Sequence, residues 1–442
     1  MRITSCQFIH FMGLQKLELR LDYPMVVVVA DNGVGKSSVL KGLRVAIGAY
    51  LRGIDDPDVR APGIKAYMHR REFHRQGFDL VRRYTGPTTI QAEGRLGKVA
   101  VSWKRTLGLK RDARTTWKNT NRLNKAVKKS TGPLPLLAFY GVRSRFPNGP
   151  VVAGREPPST RESAYADALE GPIDFQERFG RWRRLKTQAS ERIDANSALQ
   201  ELESRLASLL PGVDKVWFDA DHDGPVVRFS GDVSSGGMRA FDDLSDGFQN
   251  VLAIGLDLAL RSLQLNPDLG AAVFDEIEGV VLIDEVAQHL HPAWQLEVVG
   301  GLRAMFPCVQ FIVSTHSPLV ALGAPDDAVI LRLEARDRTV VAEYHSPRDL
   351  GPTVEAVLRG PAFDLSTTWA PALERLLERR VALAADTNSD AQALQENAED
   401  LEGWLKSIPP QPVAAAAPVS LSPAERSALR KRMAARLMGD EG

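Results

Sequence analysis

This 442-residue sequence has few cysteines, almost no net charge and no long apolar run. Its two cysteines, Cys6 and Cys308, fit a reducing compartment and exclude a disulfide framework or a four-cysteine zinc site. The net charge of +1 gives no overall attraction to nucleic acid or to a membrane, so any such affinity has to be local. The first residues lack the apolar core and cleavage site of a signal peptide, and no apolar run approaches the roughly 18 residues of a spanning helix. We therefore expect a soluble, cytoplasmic protein without a membrane partner.

The most informative stretch that is present is VVVVADNGVGKSSVLKGL, residues 26–43. Its β-branched run predicts a strand buried on both faces, and the residues after the loop have apolar positions at helical spacing. Strand, glycine loop and helix form the context that a phosphate-binding loop requires. Ala30 stands where the consensus has its first glycine, so the loop alone also fits a simple glycine turn.

If this is a phosphate-binding loop, its residue types have defined tasks. Gly33 and Gly35 let the backbone bend so that its N–H groups point at phosphate oxygens, next to the positive end of the following helix. Lys36 would reach the β- and γ-phosphates, and the Ser37 hydroxyl would coordinate magnesium. The predicted nucleotide-binding residues are Asn32, Gly33, Gly35, Lys36, Ser37 and Ser38.

A second motif, GVVLIDEV, places Asp284 and Glu285 at the carboxyl end of a buried strand. Two adjacent acids are costly there unless a cation or a water molecule uses them. Asp284 suits magnesium, directly or through water, and Glu285 suits a general base that polarises the attacking water. The alternative is a strand that simply ends in solvated acids.

Two further motifs have an ordinary explanation when each is taken alone. In LSDGFQNVL, Ser245, Asp246 and Gly247 begin a helix, where they could bind an anion or could simply cap the helix. In VSTHSP, His316 follows a buried strand, where a sensor of the γ-phosphate would lie, although a histidine there is more often an ordinary strand-end residue.

Together, in the order ADNGVGKSS, LSDG, LIDE, STHS, the four motifs resemble the ATP-binding-cassette superfamily. The resemblance implies ATP and Mg²⁺ as ligands, with Ser37 and Asp284 at the metal and Glu285 and His316 in catalysis. It also implies a homodimer or higher even oligomer, in which Ser245, Asp246 and Gly247 contact the partner's ATP. The long separation of LIDE from the loop, and LSDGFQN as the signature, resemble the RecF/SMC-like branch.

Within that branch, PLLAFYGVRSRF, RESAYADALEGPIDFQERFGRW and LNPDLG resemble the Septu-type antiphage ATPases and relatives of the overcoming-lysogenization-defect proteins. This resemblance implies control of a separate effector, with an HNH-type nuclease favoured, in bacterial antiphage defence. The sequence departs from the family at Ala30 and after Glu285, where Val286 and Ala287 follow. The Q-loop glutamine has no clear counterpart, and Gln76 and Gln91 are its candidates.

The expected fold is α/β: an ABC-ATPase head (a P-loop NTPase with a mixed sheet, an attached antiparallel sheet and a helical signature lobe) plus a C-terminal helical extension. The predicted boundaries are 1–345 for the head, with the signature lobe at about 155–265, and 346–407 for a helical oligomerisation or partner-docking region. A Pro/Ala linker at 408–421 and a terminal helix at 422–442, which begins with a capping box, complete the chain.

The basic run at 101–130 is the most lopsided segment in charge. Lys125, Lys128 and Lys129 could contact DNA or RNA, with Trp103 and Trp117 as stacking faces. A solvated hairpin or a partner-binding arm explains the run equally well. The basic stretch from Arg178 to Lys186 is better explained as a solvated helix face, with Trp182 in a packing role. Further along the chain, we expect Trp294 to be a core residue, and His289 and His291 to be structural residues.

The function that fits these motifs is an ATPase that is not itself a nuclease, because the roughly one hundred residues after the last motif read as helices. Two alternatives stay open. One is a DNA-repair ATPase resembling RecF, and the other is a nucleotide-gated scaffold with negligible turnover.

Overall fold

The computed structural model of the protein describes residues 1–76, 79–109, 116–118, 123–125, 127, 132–142, 160–170, 175–209, 211–222, 224–230, 237–337, 339–385 and 391–407. The chain divides into two compact units, Met1–Ser366 and Thr367–Gly442. The predicted linker at 408–421 and terminal helix at 422–442 lie outside the described residues.

The helices are α1 (Lys36–Ile47), α2 (Phe175–Ala189), α3 (Ile193–Ser208), α4 (Asp246–Leu265), α5 (Val273–Glu276), α6 (Pro292–Met305), α7 (Pro318–Leu322), α8 (Val354–Arg359), α9 (Pro371–Ala385) and α10 (Ala391–Ser407). The strands are β1 (Arg2–Phe11), β2 (Leu14–Arg20), β3 (Met25–Ala30), β4 (Arg71–Gln76), β5 (Asp79–Tyr84), β6 (Thr88–Leu96), β7 (Val99–Leu107), β8 (Thr116–Lys118), β9 (Leu136–Tyr140), β10 (Val213–Asp219), β11 (Gly224–Phe229), β12 (Met238–Ala240), β13 (Gly279–Ile283), β14 (Val309–Thr315), β15 (Ala328–Arg336) and β16 (Thr339–His345).

A six-stranded sheet forms the centre of the first unit, in the order β16-β15-β3-β14-β13-β9. Its strands β15, β3, β14, β13 and β9 run parallel to one another, and the outermost strand, β16, pairs antiparallel with β15. Every residue of β13 and β14 is buried, as expected for parallel strands covered on both faces. Because the strands are parallel, the loops after β3, β13 and β14 all leave from the same edge, which is where ligands bind in such sheets.

A five-stranded antiparallel sheet, β2-β1-β6-β7-β8, is attached to this centre. Gln310 on β14 joins the two: its amide nitrogen donates to the carbonyl oxygens of Ile3 (3.0 Å) and Tyr23 (3.2 Å), and its side-chain oxygen accepts from the Ile3 N–H (2.9 Å). A buried amide is costly unless its hydrogen bonds are satisfied, so this side chain holds β1 against β14.

Trp103 on β7 corrects one expectation from the sequence. It is 1% exposed, and its indole N–H donates to the Ala46 carbonyl oxygen at the end of α1 (3.0 Å), so it cannot offer a stacking face to a nucleic acid. Arg105, two residues along the same face of β7, is also buried and donates to the Val45 carbonyl oxygen. Part of the basic run is therefore core that secures the carboxyl end of α1, where cations are favoured.

Helices α2, α3 and α4 pack together beside a small antiparallel sheet, β10-β11-β12. Trp182 is fully buried against Phe218, as its predicted packing role requires. The solvated face predicted for Arg178–Lys186 is wrong at Arg178, which is 4% exposed. Its guanidinium enters a buried cluster with Asp257, Arg261 and Tyr140, in which the Asp257 carboxylate offsets the cost of burying the charge.

In the second unit, α9 and α10 form an antiparallel pair. The Asn397 amide donates to the Leu376 carbonyl oxygen, and Arg380 donates to that of Leu394, each at 3.0 Å. A C-terminal helical extension is therefore present. None of the helices in the described ranges is both long enough and apolar enough to cross a membrane.

Candidate nucleotide site

The predicted phosphate-binding loop follows β3 and leads directly into α1. Gly33 and Gly35 have φ angles of 83° and 126°, which side chains rarely adopt, so both positions require glycine. Ala30, in contrast, ends β3 without a positive φ angle, and its carbonyl oxygen accepts a hydrogen bond from Lys36 Nζ (2.8 Å). The missing first glycine of the consensus therefore requires no change in the course of the loop.

The side chain of Lys36, the first residue of α1, lies at the carboxyl ends of the parallel strands. Its Nζ lies 3.1 Å from His316 Nδ1, which comes from the loop after β14. Burial lowers the pKa of Lys36, while Glu285, Asp284 and Asp31 act in the opposite direction. The Lys36 ammonium thus lies among three acids and a histidine. Asp31 is close to Lys36 in the sequence, whereas the other three residues follow it by about 250 residues or more.

Asp284 follows β13 and is held by three hydrogen bonds. Its backbone N–H donates to the Tyr140 carbonyl oxygen on β9 (2.7 Å), and its Oδ1 accepts from the hydroxyls of Ser314 (2.6 Å) and Ser37 (3.2 Å). The side chain is 6% exposed. These contacts place the carboxylate of the second motif directly beside the first turn of α1.

Ser37 and Asp284 form the pair that suits magnesium. Mg²⁺ takes oxygen ligands, keeps several waters and is commonly bound through one or two protein oxygens together with substrate phosphates. A serine hydroxyl and a buried carboxylate 3.2 Å apart, next to a phosphate-binding loop, supply that donor set. The residues present therefore fit the ion.

Glu285 has a φ angle of 57°, an unusual conformation for a residue other than glycine. Its N–H donates to Ser314 Oγ (2.9 Å), and the next N–H, of Val286, donates to the Ser314 carbonyl oxygen (3.0 Å). The strained turn directs the Glu285 carboxylate to His316 Nε2, at 3.2 Å. Strain of this kind persists only where neighbouring contacts impose it, and it is concentrated at functional sites.

The contacts of His316 define its tautomer. An ammonium group has no acceptor, so Lys36 donates to Nδ1, and the imidazole proton lies on Nε2, which donates to Glu285. Burial raises the pKa of Glu285, and His316 and Lys36 oppose that shift. A carboxylate with a raised pKa is the stronger base, which suits proton abstraction.

The residues of the signature motif lie elsewhere in the chain, at the start of α4. Ser245 and Asp246 are exposed, and Ser245 occupies the N-cap position of α4 without a side-chain capping hydrogen bond. Gly247 packs against the loop after β13, where an added Cβ would lie 2.2 Å from the His289 carbonyl oxygen. No hydrogen bond or ion pair of the described residues links this motif to the phosphate-binding loop.

Ser314 is a site residue that the sequence analysis did not single out. It is buried, and its hydroxyl contacts both acids of the second motif: it donates to Asp284 and accepts from the Glu285 N–H. The available signal was a serine inside a buried strand, which requires hydrogen-bond partners. Tyr140 was missed as well, because only the fold places the end of β9 beside Asp284.

Several other predicted residues lie away from this edge. Lys125 is exposed, whereas Lys128 and Lys129, and the side chain of Trp117, lie outside the described residues. The Q-loop candidates Gln76 and Gln91 are exposed on β4 and β6, in sheets other than the one that contains β3.

The histidines after the second motif have structural positions. His291 caps α6 through its Nδ1, which accepts from the Ala293 N–H (3.3 Å), and His289 has a φ angle of 64° in the preceding turn. Trp294 packs edge-on against Phe248 of α4, with ring centroids 4.9 Å apart. This loop therefore joins the second motif to the start of the signature helix.

Comparison with known proteins finds relatives among antiphage and retron ATPases. Over 373 residues the chain is 26% identical to the Septu protein PtuA of Bacillus mycoides (strain KBAB4), and the aligned region covers 84% of this chain and 45% of that protein. It is 43% identical over 88 residues to the Retron Vc95 probable ATPase of Vibrio cholerae, covering 20% of this chain and 17% of that protein. The chain thus spans less than half the length of these relatives.

Among solved structures, the SMC head domain from Thermotoga maritima aligns with a TM-score of 0.42 and 13% identity, covering 78% of this chain and 100% of that one. A family model described as "AAA domain, putative AbiEii toxin, Type IV TA system" matches residues 25–322, which include all four motifs. The likeness to the Septu protein PtuA confirms the resemblance to the Septu-type ATPases. The parallel central sheet and its helices confirm the α/β fold class. The chain belongs to this AAA domain family.

Proposed function

We propose that the chain binds ATP with Mg²⁺, hydrolyses it and forms a head-to-tail dimer around it, and that its nucleotide state controls a separate effector in bacterial antiphage defence. The observation that carries this proposal is the convergence of Lys36, Ser37, Asp284, Glu285 and His316 at one edge of the central sheet. These residues come from three strand ends and have the chemistry that phosphoryl transfer to water requires.

Nucleotide binding rests on the loop and the first turn of α1. The backbone from Asn32 to Ser38 and the amino end of the helix favour an anion. Lys36 exchanges the Ala30 carbonyl oxygen and His316 for the β- and γ-phosphates, a change that supplies charges to match its buried ammonium. Ser37 and Asp284 would hold magnesium, which would neutralise charge on the phosphate oxygens.

Hydrolysis rests on Glu285, which accepts a proton from the attacking water. Its raised pKa favours that transfer, and Ser314 fixes the backbone from which its side chain extends. His316 orients the carboxylate through its contact with Glu285, and it would contact the γ-phosphate once Lys36 turns to the nucleotide.

Dimer formation rests on the exposed signature motif. Ser245 caps no backbone N–H of its own helix with its side chain, so its hydroxyl is available to a γ-phosphate held by a second copy.

The role in defence, and the partner, rest on similarity to the Septu and retron proteins. A nuclease, with the HNH type favoured, is the proposed effector, and this chain itself is not the nuclease. Co-purification of an HNH protein with this chain would support the assignment, and a chain that copurifies with no nuclease in its native host would contradict it.

The decisive test of nucleotide binding is Lys36→Ala, measured by equilibrium binding of a fluorescent ATP analogue. We expect binding to be lost, because Lys36 is the cation of the loop that would pair with the β- and γ-phosphates. Lys41→Ala, one turn further along the same helix, is the matched control and should bind as the parent does. Equal binding by the two variants would contradict the site.

Glu285→Gln separates an enzyme from a scaffold. We expect ATP binding to persist while turnover falls by about 10²–10⁴-fold, the contribution of a positioned general base. With ATP, this variant should accumulate as a dimer in size-exclusion chromatography with light scattering. A parent that binds ATP but never turns it over, with or without DNA, would favour the nucleotide-gated scaffold.

The head-to-tail arrangement is tested by Ser245→Arg in the Glu285→Gln background. The larger cation should abolish the ATP-dependent dimer and leave ATP binding by the monomer intact. Ser190→Arg, at the exposed end of α2, is the control. Dimers of equal stability in both variants would rule out the proposed contact of Ser245 with the partner's ATP.

A further inference from the structure

The hairpin formed by β4 and β5 (Arg71–Gln76 and Asp79–Tyr84) is a two-stranded sheet of its own. It is firmly attached at its base: the Arg70 N–H donates to the His10 carbonyl oxygen (3.0 Å), and the Thr85 N–H donates to that of Arg70 (3.3 Å). Beyond this base, most of its residues are exposed. We call these twelve residues the basic hairpin.

The strand register divides the basic hairpin into two faces, because directly opposite residues share a face and successive residues alternate. The first face consists of the cross-strand pairs Arg71–Tyr84, Phe73–Arg82 and Arg75–Leu80. The second face consists of Glu72–Arg83, His74–Val81 and Gln76–Asp79. The first face therefore carries three arginines and no acid, and the second carries one arginine and two acids.

The apolar side chains of the first face are unusually exposed. Phe73 is 59% exposed, Leu80 69% and Tyr84 47%. Two guanidinium groups lie over these rings from the opposite strand. The Arg71 guanidinium carbon is 5.3 Å from the centroid of the Tyr84 ring, and that of Arg82 is 5.1 Å from the centroid of the Phe73 ring. Each aromatic ring is thus held beside a cation at a fixed distance.

We propose that this first face binds single-stranded nucleic acid. Aromatic rings offer stacking surfaces to unpaired bases, and arginines spaced along the same face neutralise the phosphates between them. The bases of a duplex are already stacked on one another, so exposed Phe73 and Tyr84 gain little from it. A second copy of this chain does not fit, because two such faces would bring six arginines together without an acid.

This surface is separate from Lys125, Lys128 and Lys129, and it goes beyond the proposed ATPase function. It contributes no residue to the nucleotide site. Loss of nucleic-acid binding and loss of ATP binding are therefore independent results, and each can fail without the other.

The test uses the full chain and a labelled oligothymidine of about 20 nucleotides, followed by fluorescence anisotropy over a series of salt concentrations. Phe73→Ala should weaken binding by at least about fivefold, the loss of one stacked base. Arg82→Ser should make the negative slope of log K against log salt shallower by about 0.7, the value for one phosphate contact with a single strand.

Arg83→Ser is the matched control, because Arg83 is the exposed neighbour of Arg82 on the second face. It should leave affinity and slope unchanged. Equal effects of Arg82→Ser and Arg83→Ser would overturn the proposal, as would tighter binding of a duplex of the same length that Phe73→Ala does not alter. Absence of binding at low salt, or a concentration-dependent dimer that Phe73→Ala abolishes, would also overturn it.

Discussion

Two carboxylates of this protein, one fully buried and one partly exposed, have pKa values shifted in opposite directions. Burial alone would raise the pKa of Asp257, but Arg178 and Arg261 outweigh it and hold this pKa far below its ordinary value of 3.8. At Glu285 burial prevails, and the pKa is raised above 4.5 although His316 and Lys36 oppose the shift. The difference lies in the neighbours: two guanidinium groups face Asp257, whereas one imidazole and one ammonium, which also faces Asp284, lie beside Glu285.

The two environments correspond to two tasks. Asp257 on α4 accepts hydrogen bonds from Arg178 on α2, from Arg261 on its own helix (2.8 Å) and from the Tyr140 hydroxyl on β9 (2.7 Å). It therefore joins two helices of the lobe to the outer strand of the central sheet. Glu285 keeps its carboxylate partly exposed and poorly compensated. A fully compensated acid stabilises the fold, whereas an under-compensated acid remains available for chemistry.

The largest expected effect follows from Asp257→Ala. Removing the acid leaves two arginines buried without a counter-charge, and the free energy of unfolding should fall by about 3–5 kcal/mol in urea denaturation. Asp275→Ala is the matched control, since Asp275 pairs with Arg205 (2.8 Å) at the surface, and it should cost only about 0.2–1 kcal/mol. Similar losses in the two variants would contradict the comparison.

The pH dependence of Asp257 has a definite sign. Because its folded pKa is lowered, its contribution is fully present above its ordinary value of 3.8 and is lost as the pH falls towards the folded value. The stability difference between the parent and Asp257→Asn should therefore be constant near neutrality and shrink below about pH 4, in urea titrations at each pH. A difference that grows on acidification would be inconsistent with the ion pairs.

A smaller effect, on activity, is expected from Ser314→Ala. Ser314 positions both acids of the second motif without touching the nucleotide, and loss of such a contact typically lowers activity by about 10–100-fold. The loss should appear in kcat with ATP affinity unchanged, and Ser314→Thr should restore part of it. Ser317→Ala removes the N-cap of α7 and a hydrogen bond to Gln295 but no contact with either acid, and it should retain the parent kcat.

Glu285→Gln should have the smallest effect on the free energy of unfolding, and it should raise this free energy where Asp257→Ala lowers it. Ionising a carboxylate with a raised pKa costs free energy in the folded state, so the neutral amide should leave the unfolding free energy unchanged or raise it by up to about 1 kcal/mol at neutral pH. Thermal and urea unfolding would measure this, with the exposed Glu297→Gln as the control.

The same variant gives a pH test with the opposite sign. For a raised pKa, the protonated carboxyl is the form that the fold favours, so the penalty is absent below the ordinary value of 4.5 and grows as the pH rises through the folded pKa. The advantage of Glu285→Gln over the parent should vanish on acidification. An advantage that persists at low pH would show that burial of charge is not its cause.

The sequence by itself determined the local machinery. The loop after β3, the acids after β13 and the histidine after β14 were all predictable, because each motif is a short segment whose backbone course depends on its own glycines and β-branched residues. The α/β class followed from the same buried-strand patterns. What such patterns do not encode is which side chains meet.

The tertiary structure decided those pairings. Lys36 and His316 lie 280 residues apart in the chain, Tyr140 and Asp257 117 apart, and Ser314 meets Asp284 only because β13 and β14 are neighbours. Burial of Trp103 and of Arg178, and the opposite pKa shifts of Asp257 and Glu285, depend on these contacts. Desolvation and charge pairing are properties of surroundings assembled from distant segments, and so they became visible only in the fold.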